Sequence, residues 1–124
     1  MKSLLLVFLG GGLGSMLRFV LGKYLNASPT GIPYGTLAVN ILGSLLIGIV
    51  LGLAAKNTAI TQNHTLLLAT GFCGGFTTFS AFAYENYTFL KTGDLTGFAL
   101  YTIASFALGI LAVLLGLYLV NLNS

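Results

Sequence analysis

A few polar and aromatic residues interrupt long apolar stretches of the sequence, and these are the residues that could do chemistry. Phe79 and Phe82 are spaced i,i+3 and share one helix face, with Ser80 between them on another. Ring edges carry the positive part of the aromatic quadrupole, so edge-on phenylalanines could accommodate a small anion without a formal charge. Tyr101 and Ser105, spaced i,i+4, would place two hydroxyl groups along one wall. A phenylalanine pair at this spacing more often belongs to an ordinary core.

Three further polar residues lie within apolar segments, where an unpaired polar group is costly. Asn40 is the only carboxamide of the second segment, and Thr36 lies one turn before it on the same face. A membrane-buried asparagine either joins helices or donates into a pore, and joining helices is the commoner use. Arg18 either faces a polar cavity, where it would raise the local anion concentration, or reaches the membrane interface by snorkelling.

The remaining reactive side chains form no catalytic or metal-binding set. Cys73 is the single cysteine and is interpreted as a small buried residue. His64 has no ligand partners at metal spacing. Glu85 is the one acid near membrane depth, where it could bond a neighbouring helix or titrate. We therefore do not expect an enzyme.

The composition indicates an integral membrane protein. Charged residues make up 6% of the 124 residues, against about 25% in a soluble domain. The net charge of +3 comes from isolated bases without a basic run, which argues against nucleic-acid binding. The N-terminal apolar run is long enough to span and lacks a convincing cleavage site, so it is not expected to be a removed signal peptide.

The elements that must position these residues are four membrane-spanning helices in a single domain, residues 1–124. Each apolar segment is close to the roughly twenty residues that a spanning helix needs. The predicted spans are residues 3–24, 35–55, 65–90 and 95–120. Pro29 and Pro33 break the linker between the first two spans.

The third span carries a helix-breaking centre. Gly74 and Gly75 have no Cβ, and Thr77 and Thr78 are β-branched, so helix propensity is low there. In hydrocarbon, an open backbone is tolerated only where it is buried in protein or faces a polar cavity, and such breaks expose carbonyls to ions. The alternative is an ordinary packing helix whose glycines let neighbours approach.

Four short helices cannot enclose a polar pore by themselves, so we expect an oligomer. Glycines recur at multiples of four, which favours close helix packing between or within subunits. These rows are Gly10, Gly14 and Gly22, then Gly48 and Gly52, then Gly71 and Gly75. With four spans, Lys2 and Lys56 lie on one side of the membrane, and Lys23 and Lys91 on the other. Because this balance gives little orientation signal, the chain could insert both ways up and pair about a two-fold axis in the membrane plane.

Three motifs resemble those of the Fluc (CrcB-type) fluoride channels over essentially the whole length of the chain. They are GGxGSxxRF at 11–19, GTLxVNxxG at 35–43 and GFCGGFTTFSxF at 71–82. The third motif is the most specific. The resemblance implies an all-α antiparallel, dual-topology homodimer in the bacterial cell membrane, with two fluoride pathways that are each lined by both subunits. It implies passive export of fluoride from the cytoplasm, which protects against fluoride toxicity.

The resemblance also implies residue roles. The expected fluoride pathway contains Asn40, Phe79, Phe82, Ser80, Tyr101, Ser105 and Thr36. Arg18 would set vestibule electrostatics, and backbone carbonyls of Gly74 and Thr77 from both subunits would bind a central structural sodium ion. Ser15, Phe19 and Gly109 depart from the family pattern, and Gly109 stands where a hydroxyl of the fourth-helix polar track is expected.

Two rival functions fit four short spans. A small multidrug-resistance exporter couples cation export to protons through an acid in its binding site. The first segment here contains Arg18 and no acid, which disfavours that function. A non-transporting assembly subunit would use its polar residues only to join helices.

Overall fold

The computed structural model describes residues 1–26, 31–56 and 59–122, and every regular element within them is helical. Four stretches are long and apolar enough to cross a membrane. In chain order the elements are α1 (Lys2–Leu25), α2 (Tyr34–Lys56), α3 (Gln62–Thr65), a π-helical stretch (Leu66–Cys73), α4 (Gly74–Phe76), α5 (Phe79–Thr92) and α6 (Leu95–Leu122). The third span comprises α3 to α5, Gln62–Thr92. The predicted all-α membrane fold with four spans and an interrupted third helix is confirmed.

Turn residues set the ends of two helices. The carbonyl of Pro33 accepts the N–H of Leu37 at 3.1 Å, so α2 starts directly after this proline. Pro29, the other predicted breaker, lies outside the described residues. At the end of α5, Gly93 takes a left-handed conformation with φ of 80° and donates its N–H to the carbonyl of Leu90. A residue without Cβ is suited to this position.

Glycines bring the backbones of α1 and the third span into contact. A Cβ at Gly10 would overlap the carbonyl of Leu67, and one at Gly14 would overlap the carbonyl of Phe72. A Cβ at Gly75 would overlap the carbonyl of Gly11. These glycines therefore allow helices of one subunit to pack closely. The sequence alone leaves open whether the glycine rows pack helices within a subunit or between subunits. We call this contact the glycine seam.

Close backbone contact at glycines also joins α2 to α6. A Cβ at Gly48 would overlap the carbonyl of Val113, and one at Gly116 would lie close to the carbonyl of Leu45. The outward faces of these helices carry large exposed apolar side chains, among them Leu42, Leu111 and Leu115. In hydrocarbon such faces contact lipid tails, so packing between helices must come from close backbone approach and polar bonds.

The break in the third span lies later than the glycines suggested. Gly74 and Gly75 belong to the helix α4, and the chain is extended at Thr77 and Thr78, with ψ angles of 158° and 122°. The predicted helix-breaking centre, which included both the glycines and the threonines, therefore contains the break, but Gly74 and Gly75 stay helical. Gly75, which touches α1, serves close packing rather than chain opening. The extended residues are the two β-branched threonines, whose side chains favour that conformation.

Upstream of the break the helix is π-helical over Leu66–Cys73. A π-helical stretch adds one residue per hydrogen-bonded turn and commonly occurs at functional sites. The apolar residues of this stretch give no local signal that would predict it from the sequence.

Candidate functional site

A cavity of about 520 Å³ lies beside the break, between α2, the third span and α6. We call it the break cavity. Its lining residues are Asn40, Gly43, Ser44, Ile47, Ala69, Thr70, Cys73, Gly74, Thr77, Thr78, Phe79, Phe82, Ser105 and Phe106. Six of the ten predicted site residues are among them. The other four, Arg18, Thr36, Ser80 and Tyr101, lie elsewhere.

Asn40 on α2 holds the break in place. Its Oδ1 accepts the backbone N–H of Thr78 at 2.7 Å, and its Nδ2 donates to the carbonyl of Thr78 at 3.1 Å. This reciprocal pair satisfies backbone groups that the interrupted helix leaves open. An amide nitrogen carries two hydrogens, so one N–H of Asn40 remains for the cavity. Asn40 can therefore join helices and still donate into the cavity.

Two carbonyls at the break are deprived of their helical donors. In a continuous α-helix the Gly74 carbonyl would accept the N–H of Thr78, which donates to Asn40 instead. The Thr77 carbonyl would accept the N–H of Ala81, which donates to the side-chain oxygen of Thr78 at 3.2 Å. The Thr78 hydroxyl thereby acts as the N-cap of α5. Carbonyl oxygens that lack a helical donor are suited to bind a cation or to accept a hydrogen bond from another molecule.

Arg18 contacts the backbone of α4. Its Nε donates to the Gly75 carbonyl at 3.0 Å, and Ser15 Oγ donates to the same oxygen at 3.4 Å. The arginine therefore ties α1 to the last helical turn before the break. Snorkelling and a role in a vestibule were the two expectations for Arg18, and neither predicts this bond. The sequence does not reveal which backbone carbonyl lies within reach of the guanidinium group.

The two phenylalanines of the predicted pair have different environments. Their ring centroids are 5.9 Å apart with an interplanar angle of 46°. Phe82 is buried and meets Phe106 edge to face, with centroids 5.9 Å apart at 82°. Phe79 is 74% exposed at the rim of the cavity. The lining thus combines an edge-to-face aromatic pair with an uncovered aromatic side chain.

Thr36 and Tyr101 converge on Glu85 rather than on the cavity. Thr36 Oγ1 donates to Glu85 Oε2 and Tyr101 Oη donates to Glu85 Oε1, each at 2.6 Å. Asn26 Nδ2 donates to the Thr36 hydroxyl at 3.2 Å. Tyr101 is fully buried under Phe82, with centroids 5.2 Å apart. Of the two roles left open for Glu85, the structure shows bonding to neighbouring helices.

Ser105 has a free hydroxyl. Its Oγ is buried and has no hydrogen-bond partner within the described part of the chain, although it lines the cavity. A buried hydroxyl left unbonded costs about 1–3 kcal/mol, so it is a natural binding group for a ligand. Ser80, by contrast, is exposed and interacts with the Thr78 hydroxyl at 3.3 Å, outside the cavity.

Two residues that the sequence analysis did not select also belong to this region. Ser44 lines the cavity one turn after Asn40, and this i,i+4 spacing was a signal that could have found it. Phe106 lines the cavity next to Ser105. Its neighbours Leu108 and Ile110 are equally apolar, so the sequence gives no means of choosing it.

Comparison with known proteins agrees with this architecture. The model of the family "CrcB-like protein, Camphor Resistance (CrcB)" matches residues 5–117. A fluoride-specific ion channel FluC of Gloeothece citriformis is 52% identical over 123 residues, 98% of each chain. The channel of the same name from Phocaeicola vulgatus is 48% identical, covering 96% of this chain and 98% of its own. One from Chlorobium phaeobacteroides is 43% identical over 97% of this chain. The protein is a multi-pass membrane protein that belongs to the CrcB-like family.

Proposed function

We propose that the protein is a fluoride-selective channel that lets fluoride leave the cytoplasm of a bacterial cell down its gradient. The relatives named above are fluoride-specific ion channels. The observation that carries the proposal is the unbonded hydroxyl of Ser105 in a cavity lined by Asn40, Phe82 and Phe106. Every polar group in this lining is neutral, so an anion can be bound without being held by a formal charge.

These groups suit a small, strongly hydrated anion. Fluoride must exchange its water for other donors along its way, and Asn40 Nδ2 and Ser105 Oγ can supply an N–H and an O–H. The edges of Phe79 and Phe82 supply weak positive potential between them. Weak sites in series allow an ion to leave as well as enter, which conduction requires. Ser80 stands just outside, at the exposed start of α5.

We propose that the conducting unit is an antiparallel homodimer. The rim of the break cavity is open where Phe79 and Gly74 are exposed, and a second copy would close it. The balanced lysines permit the opposite insertion that such a pair needs. Each of two pathways would then contain side chains of both copies. The partners are therefore a second chain, the surrounding lipid and the transported fluoride.

A sodium ion fits the carbonyls at the break. Gly74 and Thr77 carry carbonyl oxygens whose helical donors are engaged elsewhere, and oxygen ligands suit a hard cation. A two-fold axis near Gly74 would double the ligands. The ion would hold the two copies together. The chain's own residues would carry the fluoride.

The exporter alternative is disfavoured by the position of Glu85. Both of its carboxylate oxygens accept short bonds, one from Thr36 and one from Tyr101. A coupling acid must be open to its substrate and to protons. This glutamate instead serves as a clasp between α2, α5 and α6.

The test is efflux from proteoliposomes that contain the purified protein, recorded with a fluoride-selective electrode. We expect fast, downhill fluoride release once a potassium ionophore clamps the potential, while chloride stays inside. Release that requires a proton gradient, or a response to organic cations, would favour the exporter. No release in this assay would favour an assembly subunit and contradict the proposal.

A further inference from the structure

One face of α6 carries side chains at intervals of four residues: Tyr101, Ser105 and Gly109. Ser105 places its unbonded hydroxyl in the break cavity. One turn further, Gly109 has no side chain to offer. The row of polar groups on α6 therefore stops at Ser105.

A side chain of α2 lies next to the place that Gly109 leaves open. A Cβ built at Gly109 would have Ser44 Oγ as its nearest neighbour, 3.8 Å away. Ser44 lines the break cavity together with Asn40 and Ser105. Its hydroxyl thus lies within contact distance of any side chain carried by residue 109, although it comes from the opposite helix.

The hydrogen bond that Ser44 makes within α2 does not prevent its hydroxyl from turning toward the cavity. Ser44 Oγ donates to the carbonyl of Asn40, one turn earlier in α2, at 2.7 Å. That carbonyl is also the helical acceptor of the Ser44 backbone N–H, so it stays bonded when the hydroxyl turns away. A serine hydroxyl has a single hydrogen, which can point either to the carbonyl or to an anion in the cavity.

We propose that Ser44 is a further anion-binding residue of the pathway, which supplies from α2 the hydroxyl that α6 lacks at Gly109. This inference rests on the proposed fluoride conduction and adds a donor to it. Asn40, Ser44 and Ser105 then give three donors on two facing helices. The bare Gly109 keeps the Ser44 hydroxyl uncovered.

Fluoride efflux from proteoliposomes tests this with Ser44→Ala and with the double variant Ser44→Ala/Gly109→Ser. A donor to an anion is a charge-assisted bond, and its loss should slow efflux about tenfold. A serine at 109 returns a hydroxyl next to the place of the one removed. It fits there because 3.8 Å is an ordinary contact distance. The double variant should therefore recover at least half of the wild-type rate.

The matched control is Thr88→Ala. Thr88 makes the same kind of bond, from Oγ1 to the Tyr84 carbonyl at 3.1 Å, but on an exposed face of α5. Loss of the Thr88 hydroxyl should leave efflux unchanged. This result would show that efflux depends on a hydroxyl in the cavity and not on a side-chain bond to the helix backbone. Dimer elution on size exclusion shows that each variant is assembled.

The outcomes are distinct. A wild-type rate in Ser44→Ala overturns the role of Ser44 and leaves the proposed function intact. A loss that Gly109→Ser does not restore in assembled protein overturns it as well. Absence of efflux from the wild-type protein overturns the proposed function and this inference together.

Discussion

Upstream of the extended Thr77 and Thr78, the third span lies against α1 with its backbone in direct contact through the glycine seam. Downstream, α5 is connected to its neighbours by side-chain hydrogen bonds: Thr36 and Tyr101 to Glu85, and Thr102 to Asn86. The seam glycines of the first half leave no room for a Cβ, whereas the second half depends on hydrogen-bond partners. The break cavity lies where the two halves meet, so one rigid wall faces one that is positioned by polar bonds.

The difference separates the residues that hold the helices together from those that we propose to line the fluoride pathway. Close backbone packing fixes distances but presents few functional groups. Polar bonds between helices place hydroxyls, amides and rings at membrane depth, where unsatisfied groups are costly and therefore available to a ligand. The following substitutions break one half at a time.

The largest effect should come from Gly14→Ala in the glycine seam. The added Cβ would overlap the Phe72 carbonyl, which is backbone and cannot turn aside. We expect little folded protein to accumulate, measured by fluorescence-detected size exclusion. Gly12→Ala on the same helix is the matched control, because among the described residues no atom outside its own helix backbone lies within 4 Å of its Cβ position. Equal peaks of folded protein for both variants would contradict the close packing at the glycine seam.

Glu85→Gln should have the next largest effect. The glutamine amide would turn an N–H₂ toward one of two hydroxyls that now donate, so Thr36 or Tyr101 would lose its acceptor. Thr36 and Tyr101 are buried, and leaving a buried hydroxyl without its acceptor costs about 1–3 kcal/mol. We expect a lower melting temperature in detergent for Glu85→Gln and a similar decrease for Tyr101→Phe. Additive decreases in the double variant would argue against a shared clasp.

Thr78→Ala should have a smaller effect at the start of α5. It removes the hydroxyl that accepts the Ala81 N–H, and loss of an N-cap of this kind costs about 1 kcal/mol. We expect a modest decrease in melting temperature. Thr78→Ser keeps the hydroxyl and should melt near the wild type. If the serine variant were as unstable as the alanine variant, the methyl group rather than the cap would matter.

The smallest effect on stability, and of opposite sign, should come from Ser105→Ala. Removing an unbonded buried hydroxyl removes a desolvation penalty, so the melting temperature should stay level or rise slightly. Fluoride efflux should nevertheless fall, because a donor of the pathway is lost. A stable variant with full efflux would remove Ser105 from the pathway.

Hydrophobic patterning predicts the four spans because their length and apolarity are strong, local signals. The interruption of the third span and its approximate region are also predictable, but the sequence does not show whether the glycines or the threonines open the helix. Glycine lowers helix propensity and also permits close packing, and only the contact of Gly75 with α1 shows which use applies.

Side-chain directions are harder to predict in this chain. Helices that are apolar on nearly every face carry little information on how each is rotated, so Tyr101 could not be placed under Phe82 in advance. The partners of Glu85 come from α2 and α6, and bonds between distant segments leave no local pattern. Asn40 was predictable as a polar residue at membrane depth, but its bonds to Thr78 depend on where the break lies.

The most direct test of the account compares one aromatic side chain from each half in the fluoride-efflux assay. Phe82 lines the break cavity, whereas Phe72 stacks on Phe76 in the upstream half, with centroids 5.4 Å apart. In folded protein, Phe82→Ile should lose most of the fluoride efflux, while Phe72→Ile should keep a rate near that of the wild type. Equal rates in the two variants would contradict the claim that fluoride passes through the break cavity.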